Sequence, residues 1–249
     1  MVLAHMRKRL IPFTIIWDFD GTLLPSDPYD SEHTLLLSGL QASGRKFSPP
    51  KRIVANAIIF MDRRKWMGPA FKKYYAWVLS GTPLSRIEEV SKRLARKIGD
   101  VDRAALRSLF NAGHSMMIIS CGTMNLIERI LEIAGIKSCF VRIEGNRLLS
   151  ADGRITGIER RIIHPADKLK PVKEQCLDSD RVIAVGDGYT DLPLLAWAGV
   201  PVLMDRSRRK GKPRTSGCYH DIGSIPELVG LIDRLSAKTG VGPSRRREK

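Results

Sequence analysis

Ile11-Pro12-Phe13-Thr14-Ile15-Ile16-Trp17-Asp18-Phe19-Asp20-Gly21-Thr22 is the stretch whose reading decides the fold. Its first half is short, apolar and β-branched, the pattern of a buried strand. Its second half sets two acids at the strand's carboxyl end and then a glycine that lets the chain turn sharply. In a strand followed by a turn, Asp18 and Asp20 can point the same way. Two carboxylates held together repel, so they need a cation or a shared proton. A magnesium ion suits such oxygen ligands. Open parallel sheets bind their ligands at this edge.

Outward from this stretch, Ser115 to Ile119, Arg181 to Val185 and Pro201 to Met204 read as further buried strands. Helical patterns lie between them. Asp102 to Ala112 ends at Gly113 and Asn125 to Ala134 ends at Gly135, and both glycines suit a left-handed helix cap. Ser224 to Ser236 opens with Ser224 and Glu227 at capping-box spacing. Strands alternating with helices predict a parallel sheet covered on both faces, an α/β fold. Residues 25–100 break the alternation. Ile87, Val90, Leu94 and Ile98 share one helical face, and Trp66 to Leu79 reads as a second helix. In Phe140 to Arg160, Gly145-Asn146 and Asp152-Gly153 read as hairpin turns.

The chain's 249 residues suffice for a sizeable core. Nothing in it approaches the roughly 18–20 apolar residues that span a bilayer, so no membrane partner is expected. The basic start, Arg7 to Arg9, leads into an apolar run that passes straight into the acids without a small-residue cleavage site. The expectation is a mature cytoplasmic protein. Its four cysteines are scattered without CxxC spacing, which argues against a zinc site and a disulfide framework. The net charge of +16 favours anionic partners: phosphate esters, nucleic acid or acidic lipid. Much of the excess lies at Arg7 to Arg9, Arg206 to Arg214 and the tail Arg245 to Lys249.

Three further segments carry chemistry. Ile118-Ile119-Ser120-Cys121-Gly122 ends an apolar strand in a hydroxyl and runs into a helix, and free amides at a helix start bind anions. Lys168 and Lys170 precede another helix, and either can neutralise a phosphate. Val182 to Val185 leads into Gly186-Asp187-Gly188-Tyr189-Thr190-Asp191, where Asp187 and Asp191 would complete an oxygen cage.

In this order, the segments resemble the four motifs of the haloacid dehalogenase superfamily, over Phe13 to Met204. The resemblance implies a Rossmann-like three-layer parallel-sheet core, residues 1–24 and 101–240, with an inserted all-helical cap domain, residues 25–100. Residues 241–249 would be a basic, disordered tail. The implied activity is magnesium-dependent hydrolysis of a phosphomonoester through an aspartyl-phosphate. Asp18 is the implied nucleophile and Asp20 the implied acid and base. Ser120, Cys121, Gly122 and a lysine are implied to hold phosphate. Lys170 is favoured because it opens the helix that leads to the last motif. Asp18, Asp187 and Asp191 with the Asp20 backbone carbonyl are the implied metal set, Asp191 either ligating or orienting. Halide-displacing members lack the second aspartate, so Asp20 favours phosphatase chemistry.

The cap resembles that of phosphoserine-phosphatase-like members. Those usually carry a glutamate nine residues after the nucleophile, where this chain has Asp27, so serine recognition is not carried over. The Lys170-Pro171 pair resembles phosphatases of small sugar-like phosphates. Asp27, Arg63 and Arg64 are substrate-contact candidates, although the aromatic helix around them reads first as packing. The favoured substrate is a small phosphorylated metabolite. Nucleic acid ends are the rival, as is a basic nucleic-acid-binding protein on a degenerate phosphatase fold. A closing cap leaves a polymer little room.

Overall fold

The computed structural model describes residues 12–41, 47–207 and 219–239. Arg7 to Arg9, Cys218, the tail after Thr239 and most of Arg206 to Arg214 lie outside them. A seven-stranded sheet runs in the order β4-β3-β2-β1-β5-β6-β7. Its strands are β1 (Thr14–Trp17), β2 (Ser115–Thr123), β3 (Arg142–Ala151), β4 (Arg154–Glu159), β5 (Val182–Gly186), β6 (Val200–Met204) and β7 (His220–Ile222). All neighbours pair in parallel except β3 and β4, which form an antiparallel hairpin. The fold is α/β.

Why the central strands are apolar throughout is visible in the core. Ile15, Trp17, Met116, Ile118, Ile183 and Val185 join one buried cluster. Their neighbours Ile16, Met117, Ile119, Val182 and Ala184 join another. Alternate side chains thus feed opposite faces of the sheet, and both faces are dry. The larger face is covered by α5 (Asp100–Asn111), α6 (Met124–Ile133) and α9 (Ile225–Thr239), through residues such as Leu106, Ile127 and Leu228. The smaller face is covered by α7 (Leu169–Glu174) and α8 (Leu192–Trp197), through Val172, Leu194 and Leu195.

Four helices fall between β1 and α5: α1 (Ser31–Gln41), α2 (Pro49–Arg63), α3 (Ala70–Leu79) and α4 (Ser85–Ala95). No strand occurs among the described residues of this insert. It is fastened to the core at several points. The Gly81 amide donates to the Ile155 carbonyl, and Arg129 of α6 pairs with Glu88 of α4. No described helix is long and apolar enough to cross a membrane.

Three sequence expectations shift. Helix α3 starts at Ala70 rather than Trp66, because the chain first turns through Gly68, at φ 48°. Asp152-Gly153 does form the β3–β4 turn, but Gly145-Asn146 runs inside β3. Strand β2 runs on to Thr123, so Ser120 lies in extended chain and α6 begins only at Met124.

The strand order reverses beside β1. Neighbouring strands β2 and β5 continue to opposite sides, which opens a crevice at their carboxyl ends.

Candidate active site

Asp18 sits on that crevice, with its amide donating to the Val185 carbonyl at 2.9 Å. The chain then folds back tightly. The Leu24 amide donates to the Phe19 carbonyl at 2.9 Å, and the Gly21 amide to the Leu24 carbonyl at 2.8 Å. Gly21 has φ 85°, and a Cβ there would lie 2.2 Å from Asp187 Oδ2. Only glycine lets this turn close onto the acid. Arg206 clamps the turn from behind, donating to the carbonyls of Thr22 (2.8 Å) and Leu23 (3.1 Å) while pairing with Asp102. It opens the basic segment Arg206 to Arg214, and the carbonyls it binds make it a brace for this turn.

The buried Lys168 binds Asp18 Oδ1 at 2.6 Å and Asp191 Oδ1 at 2.5 Å. Lys170, favoured from sequence, lies on the surface and pairs with Asp167 at 2.9 Å. That preference is corrected: Lys168 falls in a short 3₁₀ turn that faces the crevice, and two residues further the helix has rotated away.

Asp187 and Asp191 meet Asp18, with ligand oxygens from all three within 4.8 Å of one another. Their environments differ. Asp191 is the most engaged: Oδ1 takes Lys168 and Oδ2 accepts from the amides of Asp187 (3.0 Å) and Gly188 (3.1 Å). Among the described residues, the side-chain partner of Asp187 is a long hydrogen bond, 3.4 Å from Thr22. Burial drives the Asp18 carboxyl up to about 6 against the opposing pull of Lys168. Desolvation, with the charges of Asp18 and Asp191 beside it, drives Asp187 up to about 7. An oxygen-only donor set that resists carrying its own negative charge fits a hard divalent cation. All three acids lie close enough to share it, and Asp187 has the fewest other partners. The Asp20 side chain stands apart from this trio.

Asp20 is turned toward α1. Its carboxylate accepts from the Ser31 amide (2.8 Å) and the Ser31 hydroxyl (2.7 Å). Burial, then the nearby charge of Asp30, raises its pKa well above the usual carboxylate range. Ser120 is buried, and its Oγ accepts from the Gly122 amide at 3.1 Å. A Cβ on Gly122 would stand 3.2 Å from that Oγ and 3.4 Å from Asp20 Oδ2, so this segment passes directly beside Asp20. The Cys121 side chain points the other way, into the smaller apolar cluster. Burial raises its thiol to about 11.

Sequence reasoning missed several residues. Glu32 is buried beside Asp20. It accepts from the Thr123 hydroxyl at 2.5 Å and pairs with Lys72 of α3, while Tyr75 shares a hydrogen bond with Thr123. Asp27 does not join this group. It lies on the rim of a cleft of ≈ 560 Å³ that also includes Gly21, Asp187 and Arg206. Arg63 and Arg64 line a separate cleft of ≈ 830 Å³ with Tyr29 and Phe60. The structure therefore does not bring these two arginines to the acids. Asn146 is buried in β3. Its amide donates to the carbonyls of Cys121 (2.7 Å) and Ile162 (2.9 Å), and its oxygen accepts from the amides of Arg161 and Ile162. It ties the Ser120 segment to the approach to Lys168. The one sequence signal for Glu32 was Asp30-Ser31 ahead of an apolar run, which marks a helix start.

A family model of haloacid dehalogenase-like hydrolases matches residues 15–196. The chain belongs to that family. Among curated relatives, phosphoserine phosphatase of Archaeoglobus fulgidus is 31% identical over 130 residues, which is 50% of this chain and 36% of that protein. Phosphoserine phosphatase of Halobacterium salinarum is 24% identical over 88% of this chain and 96% of its own length. A probable phosphoserine phosphatase from Vibrio cholerae shares the fold, with TM-score 0.69 and 16% identity over 94% of this chain and 68% of that one. The chain is thus a phosphoserine-phosphatase-like hydrolase of this family, and its curated relatives are phosphoric monoester hydrolases.

Proposed function

We propose that this chain is a magnesium-dependent phosphomonoesterase that cleaves a small phosphorylated metabolite through an aspartyl-phosphate on Asp18. One observation carries the reading: Lys168 holds one oxygen of a buried aspartate, while a second aspartate two residues on, its pKa raised by burial, is held by Ser31.

Lys168 fixes Asp18 Oδ1 and leaves Oδ2 to attack phosphorus. A new P–O bond forms to Asp18 as the bond to the substrate's ester oxygen breaks. Asp20 gives its proton to that leaving oxygen. It then takes a proton from water, which attacks phosphorus and frees Asp18 and inorganic phosphate. Lys168 also offsets charge on the phosphoryl oxygens, and Ser120 Oγ with the Gly122 amide supplies hydrogen bonds beside Asp20. A cation held by Asp18 and Asp187 would polarise the phosphoryl group and screen it from the carboxylates.

Phosphoserine is a poorer fit than an uncharged alcohol's phosphate. Beside Asp20, each Glu32 oxygen already has a partner, Thr123 on one and Lys72 on the other, and the lysine offsets the charge that an ammonium group would seek. A magnesium-supplemented screen of phosphorylated metabolites, with Asp18→Asn as control, tests the proposal. Turnover of sugar or polyol phosphates at least about tenfold better than of phosphoserine is expected. Activity of Asp18→Asn equal to wild type would sink the mechanism.

A further inference from the structure

The outward faces of α2 and α3 are unusual for a surface. Ile53, Ala57 and Phe60 lie at i, i+4 and i+7 on the exposed side of α2, and Ala70, Tyr74 and Trp77 repeat that spacing on α3. Trp66 joins them between the helices. Ile53 is 71% exposed and Trp66 69%. Both helices also have a buried apolar face, through Ala55, Ile58, Phe71 and Val78, so the outer stripe is not needed for the core. Clustered exposed apolar groups of this size mark an interaction surface.

The same segment is strongly cationic. Between Pro49 and Leu79 seven Lys and Arg face a single acid, Asp62, and that acid is 3.1 Å from His33. Of the seven, Lys72 is buried against Glu32. Arg52, Arg63, Arg64, Lys65 and Lys73 are exposed. We propose that this face of the insert docks onto an anionic phospholipid surface. Its apolar stripe would enter the headgroup boundary, and its cations would pair with lipid phosphates.

Two observations select this occupant. Cations and apolar groups are interleaved: the Arg64 guanidinium stands 3.7 Å over Phe60 and 5.5 Å from Trp66, and Lys51 5.7 Å from Trp77. A nucleic acid would use the cations and rings, but a bare aliphatic such as Ile53 has no role there. A second copy of the chain would bring like charges together.

The test is co-sedimentation of the full chain with phosphatidylcholine vesicles, with and without phosphatidylglycerol. The variant I53S/F60S/W66S keeps every charge. Wild type should bind only the phosphatidylglycerol vesicles, and the variant at least about tenfold more weakly. Retained p-nitrophenyl phosphate hydrolysis reports that the variant folds. Should it not fold, quenching of wild-type tryptophan fluorescence by brominated phosphatidylglycerol reads the same contact. Four outcomes would overturn the proposal: no wild-type binding, equal binding by the variant, no quenching, or a wild-type preference for duplex DNA or self-association that the variant loses.

Discussion

Lys168 is the residue on which the electrostatics turn. Its ammonium lies between two buried carboxylates, and their attraction holds its pKa above the ordinary lysine value despite burial. Removing one member of such a buried group leaves uncompensated charge and costs about 3–5 kcal/mol. Lys168→Met should therefore lower the melting temperature markedly and abolish turnover. Lys170→Met, which breaks only an exposed pair with Asp167, should change stability by no more than about 1 kcal/mol and leave kcat near wild type. Thermal melts and steady-state kinetics of the two variants check this, and the reverse ranking would restore Lys170. The two lysines look alike in sequence because they differ only by a rotation of the chain. Asp18, Asp20, Asp187 and Asp191 were recognisable because strand ends and a glycine announce them. Glu32 and Lys72 were not, because each reads alone as an ordinary surface charge.

At the scale of elements, the site is a meeting of loops that few hydrogen bonds hold in register. Asn146 makes four of them, all to backbone groups around Cys121, Arg161 and Ile162. Each buried backbone group left unpaired costs about 1–3 kcal/mol, so Asn146→Ala should destabilise by roughly 2–4 kcal/mol. That corresponds to a fall in melting temperature of roughly 5–15 °C, readable by calorimetry. Loss of kcat well beyond the effect on KM is expected too, since Asn146 touches no substrate but positions the Ser120 segment. Sequence assigned Asn146 to a turn for a sound local reason, because Asn and Gly favour turns. The sheet overrode that preference, since a buried amide with four partners outweighs a turn propensity. Likewise β2 outran its apolar stretch because pairing with β3 resumes at Thr123, past an irregularity after Ile119.

For the whole molecule, the cluster of acids links stability to pH and cation. Asp18 and Asp187 have pKa values raised to about 6 and about 7 from 3.8. Between about pH 4 and pH 7 the folded protein therefore binds protons that the unfolded chain has released. Without a divalent cation its stability falls as pH rises through that window and levels off above it. A cation replaces those protons, so magnesium should raise the melting temperature more at pH 8 than at pH 5. Equal magnesium shifts at both pH values, read by differential scanning fluorimetry, would argue against a cation between these acids. The sequence alone was enough to read an α/β fold, an insert after the first strand and the acids at strand ends. Those features rest on short-range periodicity and turn chemistry, which act within a few residues of the chain. Only the tertiary structure could decide which lysine reaches Asp18, that Glu32 is already paired, that Asp191 binds Lys168 and two amides at once and that two helices turn apolar faces outward. These depend on which distant segments come within hydrogen-bond reach, and the folded sheet sets those distances.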